Sequence, residues 1–325
     1  MVDFVLPSGA RVHLIGDPHI GVDFDRHAPA HRRGERAARQ FACLCQELDA
    51  DADIVVIVGD LFDDPMVPRK TVVSVADAII SAAERNEDVL YLVMAGNHDL
   101  PRNFSTVGAW PMFRRMVEDR LENAIVVTEP TIVNRLALFP WQWGVTAKEQ
   151  VSKVSGEADA AVGHWDLAVF DGKDEHLAPV ADLRKAFGPS VALYSGHYHV
   201  PGPYSVDGVE VICTGSMQPV THGEDPKQEF YVTVTRAEAL LRDDLYDKHV
   251  RVRLAPGEVM PDIDCLALTH IREKAAEVAE QAPVSIEDFD FTRIVSERIS
   301  KRDPVVQQFI SERMSLNVTK ASEQH

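Results

Sequence analysis

Cysteine is scarce: the 325 residues contain four, Cys43, Cys45, Cys213 and Cys265, with no CxxC pair. That excludes a thiolate metal knuckle or a disulfide framework, and Cys43 and Cys45 lie too close on a helical pattern to bridge; buried thiols are expected. Long apolar runs are missing too. None approaches the roughly 18 residues of a membrane span, so no membrane association is expected. Met1–Pro7 lacks the basic start, apolar stretch and small-residue cleavage site of a secretory signal, which predicts a cytoplasmic protein. Positive charge is short: Lys and Arg number 33 against 51 Asp and Glu, a formal net charge of −18. Phosphate repulsion over most of such a surface excludes a general basic grip on nucleic acid. Any phosphate contact has to come from local charge, from metal ions or from a partner.

What is present is ordinary for a globular chain, with 45% hydrophobic and 26% charged residues. The length suits one large core and a smaller appendage. Strand-like runs at 11–16, 53–59 and 89–95 alternate with helical patterns carried by Ala37, Phe41, Leu44 and Leu48, then by Val72, Val75, Ile79 and Ile80. This is an α/β layered signature. Short apolar runs at 124–127, 136–139, 160–162, 191–194, 210–213 and 230–234 predict a second sheet packed on the first. After residue 248 the character changes: an HVRVRL run precedes Pro-interrupted sequence and helical patterns, one capped by Ser285 with Asp288 and another opened by Asp303–Pro304. The expected division is therefore a catalytic domain over 1–248 and a short capping segment with a helical tail over 249–325.

Five strand ends carry polar clusters beside glycine: Gly16-Asp17-Pro18-His19, Gly59-Asp60-Leu61-Phe62-Asp63, Gly96-Asn97-His98-Asp99, Gly163-His164-Trp165-Asp166 and Gly196-His197-Tyr198-His199. Glycine permits the sharp exit that turns a side chain into the crevice beyond a strand's carboxyl end. Any one fragment, a lone DxH or HxH, is weak. Five in chain order at strand ends are not. Oxygen and imidazole donors without thiolates suit Mn²⁺, Mg²⁺, Fe or Zn²⁺, and two divalent ions sharing such a cluster would activate water and neutralise a phosphoryl transition state. An unligated histidine beside them can protonate a leaving alkoxide, with a neighbouring carboxylate to orient it; His98 and Asp99 fit these roles.

The five motifs resemble those of the calcineurin-like metallophosphoesterases: DxH, GDxxD, GNHD, GH and GHxH. The resemblance implies a four-layer β-sandwich flanked by helices. It implies that Asp17, His19 and His199 hold one metal, that Asn97, His164 and His197 hold the other, and that Asp60 bridges both, with His98 as the catalytic acid. The Gly215-Ser216-Met217-Gln218-Pro219, Gly223-Glu224-Asp225 and Gln228-Glu229-Phe230 segments are similar to those of SbcD-type nuclease subunits. Phe139-Pro140-Trp141 and Gly163-His164-Trp165-Asp166-Leu167 are most similar to the phage version. That branch implies a Mn²⁺-dependent DNA endo/exonuclease of double-strand-break processing and recombination, acting as a homodimer with an ABC-type coiled-coil ATPase. Asp63 departs from the pattern, standing where several cellular members carry histidine. Arg32, Arg33, Arg36, Arg69, Lys70 and Arg102 are candidate DNA contacts; Trp141, Trp143, Trp165 and Tyr198 are candidate base-stacking residues. The alternatives are a phosphatase or small-molecule phosphodiesterase on the same fold, and a non-catalytic interaction module.

Overall fold

In a computed structural model, which describes residues 1–103, 105–118, 120–170 and 175–273, the apolar runs become two facing sheets and a third, smaller one. The first sheet has the order β1 (Val2–Val5), β2 (Arg11–Ile15), β3 (Ile54–Ile57), β4 (Leu90–Met94), β5 (Ala124–Val127). β1 runs antiparallel to β2, and the other pairs are parallel. Parallel neighbours need crossovers, supplied by α1 (Glu35–Leu48), α2 (Arg69–Arg85) and α3 (Trp110–Glu118). The run at 124–127, expected in the second sheet, instead joins the first: α3 returns the chain beside β4, and β5 takes the vacant edge.

The second sheet contains β6 (Thr131–Val133), β7 (Leu136–Phe139), β8 (Ala160–Gly163), β9 (Ala192–Ser195), β10 (Gly202–Val206) and β11 (Val209–Cys213). Their spatial order is β10-β11-β9-β8-β7-β6. α4 (Ala147–Ser152), opened by a Thr146–Glu149 capping box, and α5 (Val180–Phe187) cover its outer face. Alternation along the strands assigns the layers. Leu14, Val56, Leu92 and Met94 face Leu138, Ala160, Val162 and Tyr194 between the sheets, while Ile15, Val55, Ile57 and Val93 face the helices. The result is helix, sheet, sheet, helix, as the four-layer expectation required.

The third sheet is parallel, in the order β12 (Tyr231–Thr235), β13 (His249–Leu254), β14 (Ala267–Arg272). α6 (Arg236–Leu241), with its own Thr235–Glu238 capping box, packs on it. The run at 230–234 thus builds this sheet and not the second one. β12 and β13 pair across residue 248, where the sequence changes character. The first part of the segment after 248 is strand; the helices expected after Ser285 and Asp303 lie outside the described residues. No helix among the described residues is long and apolar enough to cross a membrane.

Candidate metal centre

The carboxyl ends of β2, β3 and β4 from one sheet and of β8 and β9 from the other open on the same crevice, so the five polar exits converge. Asp17, His19, Asp60 and His199 place ligand atoms within 4.8 Å of one another, as do Asp60, His164 and His197. Asp60 belongs to both groups. Asn97 joins the second, its Oδ1 lying 2.9 Å from His164 Nε2 and 2.8 Å from His197 Nδ1. All seven residues named from the motifs are therefore brought together, in two clusters that share one carboxylate.

The backbone holds them under strain. His19, Asp60 and His197 adopt positive φ angles of 46°, 45° and 74°, a region in which a side chain costs energy and persists only when surrounding contacts impose it. Here His19 N donates to Asp60 O at 2.9 Å and Ile20 N to Leu61 O at 2.9 Å, tying the first two loops together. Gly59, at φ 114°, approaches so closely that a Cβ there would meet His164 Nδ1 at 2.2 Å, and a Cβ on Gly96 would meet Asp60 N at 2.2 Å. Glycine is required at both positions because side chains of the site pass over the bare backbone.

Each histidine of the clusters is fixed on its far side by an acceptor. His19 Nδ1 faces Asp63 Oδ1 at 3.2 Å, His164 Nδ1 faces the Val58 carbonyl at 2.9 Å, His197 Nε2 faces Asp166 Oδ1 at 2.7 Å, and His199 Nδ1 faces Glu224 Oε1 at 3.2 Å. A carbonyl or carboxylate oxygen accepts, so these nitrogens carry protons, and the opposite ones face inward to offer lone pairs once a cation displaces any proton there. This is how metal-ligating imidazoles are oriented and made more basic. Asp63, Asp166 and Glu224 lie in motifs read from the sequence without such a role, and nothing in spacing alone says that they reach the imidazoles.

Asp17 decides what the cluster is built for. Its side chain is fully buried, and neither carboxylate oxygen has a hydrogen-bond partner among the described residues. Burying an ion costs several kcal/mol unless hydrogen bonds or an opposite charge compensate; the imidazole nitrogens of His164 and His199 stand 3.7 and 3.8 Å away, beyond hydrogen-bond reach, so a cation fits where a hydrogen bond does not. Burial, against the pull of His164, raises the Asp17 pKa. Burial likewise works to raise Asp60, but the imidazoles of His164 and His19 outweigh it and hold that carboxyl below its usual range. For His164, burial acts downward while Asp60 and Asp17 raise the ring to about 9. In the metal-free chain protons stand where cations fit, so metal binding must release them. The donor set, carboxylate, imidazole and amide oxygen, suits hard or borderline divalent ions.

His98 sits at the mouth, exposed, its ring 4.9 Å from that of His19. Its backbone N–H donates to Asp60 Oδ1 at 2.8 Å, and its Nδ1 lies 2.6 Å from the Asp63 carbonyl. The orienting partner is therefore that carbonyl and not Asp99. The Asp99 carboxylate turns inward, fully buried, and accepts from the backbone N–H of Gly96, Leu61 and Phe62 at 2.8, 3.2 and 2.8 Å. It staples the two loops that carry Asp60 and Asn97. Burial and then the charge of Asp60 push its carboxyl up to about 7, against the pull of those donors.

Among the candidate phosphate contacts, Arg33, Arg69, Lys70 and Arg102 are exposed. Arg32 and Arg36 are not. Arg32 bonds Glu35 at 2.8 and 2.9 Å and the Tyr246 carbonyl, joining α1 to the loop before β13, and Arg36 bonds Gln218 and the Pro219 carbonyl. Both are structural cations. Trp165 is core, 1% exposed and packed on Phe139, and Tyr198 packs edge-on against Tyr204. Trp141 stacks on His197 at 5.4 Å between ring centres, bringing an aromatic wall against the second cluster.

Residues 10–201 match the model of the calcineurin-like phosphoesterase family, a span that includes all seven clustered residues and His98. The DNA double-strand break repair protein Mre11 of Haloferax volcanii is 26% identical over 230 residues, 67% of this chain and 48% of that protein. Its namesake from Archaeoglobus fulgidus is 23% identical over 261 residues, 74% of this chain and 56% of that protein. The chain spans about half the length of these curated relatives.

Proposed function

This chain belongs to the calcineurin-like phosphoesterase family, and from that premise we propose that it is a metal-dependent DNA nuclease that hydrolyses phosphodiester bonds during double-strand-break processing. The observation that carries the reading is the pair of ligand clusters joined at Asp60, with the partnerless carboxylate of Asp17 inside them. The likeness to two double-strand break repair proteins turns the phosphoester hydrolase of the family toward DNA. A phosphatase remains the rival on the same fold. A non-catalytic module is disfavoured, because a binding surface has no use for a buried carboxylate without a hydrogen-bond donor.

Asp17, His19 and His199 would hold one divalent ion, Asn97, His164 and His197 the other, and Asp60 both; Mn²⁺ is the proposed native ion, with Mg²⁺, Fe and Zn²⁺ as alternatives. Two such ions supply Lewis acidity toward the phosphate and toward the attacking water. The protein's own residues do the rest. Asp60 and Asn97 fix the spacing of the clusters through loops stapled by Asp99. His98, its Nδ1–H engaged by the Asp63 carbonyl, presents Nε2 as the proton donor to the departing deoxyribose oxygen. Exposed Arg33, Arg69, Lys70 and Arg102 give local positive charge for the strand on an otherwise acidic molecule.

We extend the proposal to organisation. Residues 1–248 carry the chemistry; residues 249–325 supply a short cap and a docking tail for an ABC-type coiled-coil ATPase. The active assembly is a homodimer with that ATPase, in the cytoplasm, as in the phage-type system that the motifs resemble. The experiment is cleavage of end-labelled single- and double-stranded DNA by the full chain with Mn²⁺, Mg²⁺ or EDTA, beside a nitrophenyl phosphate monoester. Manganese-dependent cutting supports the nuclease. Turnover of the monoester with intact DNA would replace it with the phosphatase.

A further inference from the structure

Trp141, a candidate base-stacking residue by sequence, lies against imidazoles of the protein itself. It follows β7 and reaches past the end of β8, which carries His164 and Asp166, to His197 beyond β9. The ring centres of Trp141 and His197 are 5.4 Å apart and their planes tilted by 24°, an offset stack. A second imidazole, that of His176, is stacked on the same indole at 3.9 Å and 26°. Trp141 and His176 are both buried, so the indole is held as a fixed plate.

That plate is linked to every unshared residue of one cluster. Its backbone N–H donates to the Ala95 carbonyl at 2.8 Å, two residues before Asn97. The indole meets the His164 ring edge-on at 6.0 Å and runs nearly parallel to that of His197. In the other cluster the rings meet only edge-on: His19 lies at 81° to His98 and at 70° to His199.

His197 needs such support more than His164 does. The His164 side chain is fully buried, whereas that of His197 keeps 26% of its surface exposed, on a backbone at φ 74°. Asp166 faces its Nε2 at 2.7 Å, but one hydrogen bond fixes a point and not a plane. The terminal torsion of a histidine is soft, so the ring is free to swing about that bond and carry Nδ1 away from the cluster. A rigid flat face beside it removes the freedom.

We propose that Trp141 is a positioning residue for the Asn97–His164–His197 ion site, holding the His197 imidazole in the plane that keeps Nδ1 toward the cluster and tying that ring to the segment that presents Asn97. It acts through these ligands. The proposal rests on the two-ion reading of the clusters, and adds to it what keeps one of the two sites in shape.

The test is Mn²⁺ binding by the full chain, followed by calorimetry and by tryptophan emission. The step that belongs to this cluster is the one shifted by Asp166→Asn. Trp141→Leu should weaken that step about tenfold or more, the usual cost of losing an outer support of a ligand, and leave the other step in place. Trp141→Phe keeps a flat face and should restore most of the affinity. Trp141→Met fills the space without a flat face; it should behave as leucine does, and it replaces leucine should that variant melt early. Filling of the same step should quench emission in wild type, because the ion joins a ring stacked on the indole, and the quench should vanish in Trp141→Phe while the ion still binds. Affinities equal to wild type in the leucine and methionine variants, or a quench retained in Trp141→Phe, overturn the positioning role and leave the two-ion reading standing. A wild type that binds no ion overturns both.

Discussion

The ring Nδ1 of His98 lies 2.6 Å from the backbone carbonyl oxygen of Asp63. A carbonyl can only accept, so Nδ1 carries the hydrogen and Nε2 is the atom that exchanges its proton. His98→Ala should lower kcat on DNA by about 10²- to 10⁴-fold, the usual size of a general-acid contribution. The loss on bis(nitrophenyl) phosphate should be much smaller, because nitrophenolate leaves without a proton. Steady-state rates on both substrates check this; equal losses would mean that His98 holds the site together and does not deliver a proton.

Glu224 faces His199, and Asp166 faces His197, each on the side away from the cluster, at 3.2 and 2.7 Å. Each should tune one cluster. Glu224→Gln is expected to weaken ion binding at the Asp17–His19–His199 cluster by about 10- to 100-fold, and Asp166→Asn at the Asn97–His164–His197 cluster by a similar factor. Calorimetric titration with Mn²⁺ should therefore show a two-step isotherm in which each variant shifts a different step.

Asp17 should cost the metal-free chain stability. Replacing it with Asn removes a buried charge whose oxygens have no donor. The metal-free Asp17→Asn variant is expected to melt higher than wild type, at about 2–4 °C per kcal/mol relieved, and to lose most of the Mn²⁺-induced rise in Tm. Differential scanning calorimetry with and without Mn²⁺ reads both effects. A lower metal-free Tm would show that the imidazoles of His164 and His199, 3.7 and 3.8 Å from its oxygens, compensate the Asp17 charge in full.

His249 gives a pH dependence separate from the metal site. It is 6% exposed, stacked on Tyr231 at 4.4 Å, and burial, with Arg36 next, pushes its pKa down to about 3. The unfolded chain binds this proton near pH 6.5, the folded chain only near 3, so the neutral ring's contribution is complete above about 6.5 and is lost as pH falls toward 3. The loss is on the order of 5 kcal/mol at most. Urea midpoints of metal-free His249→Phe should accordingly fall less between pH 7 and pH 4 than those of wild type.

Strands β2, β3 and β4, helices α1 and α2, and every residue of the two clusters could be read from the sequence, because apolar runs, period-3.6 patterns and glycine-flanked polar exits are local signals; β1 carries no such run. Sheet membership was not local. Ala124–Val127 has the same apolar run whether it pairs with β4 or with β7, and α3, a short helix with only Trp110, Phe113 and Val117 buried, decides between them. Tyr231–Val234 reads as one more core strand until β13 and β14 supply a sheet of their own. Arg32 and Arg36 beside the first motif look like phosphate ligands in one dimension, and only folding brings Glu35, Tyr246 and Gln218 to them. Asp99 follows His98 in sequence, which suggests a contact with its ring, yet successive side chains on a tight turn diverge, and the carboxylate goes to the backbone of the neighbouring loop.

The central claim is that Asp60 joins two ion sites. It is tested most directly by the metal content of the full chain after equilibration with Mn²⁺ and removal of free ion, measured by plasma mass spectrometry for wild type and Asp60→Asn. Two ions per wild-type chain, and one or none in the variant, is the expected result. One ion or none in wild type, or two retained in Asp60→Asn, would contradict it.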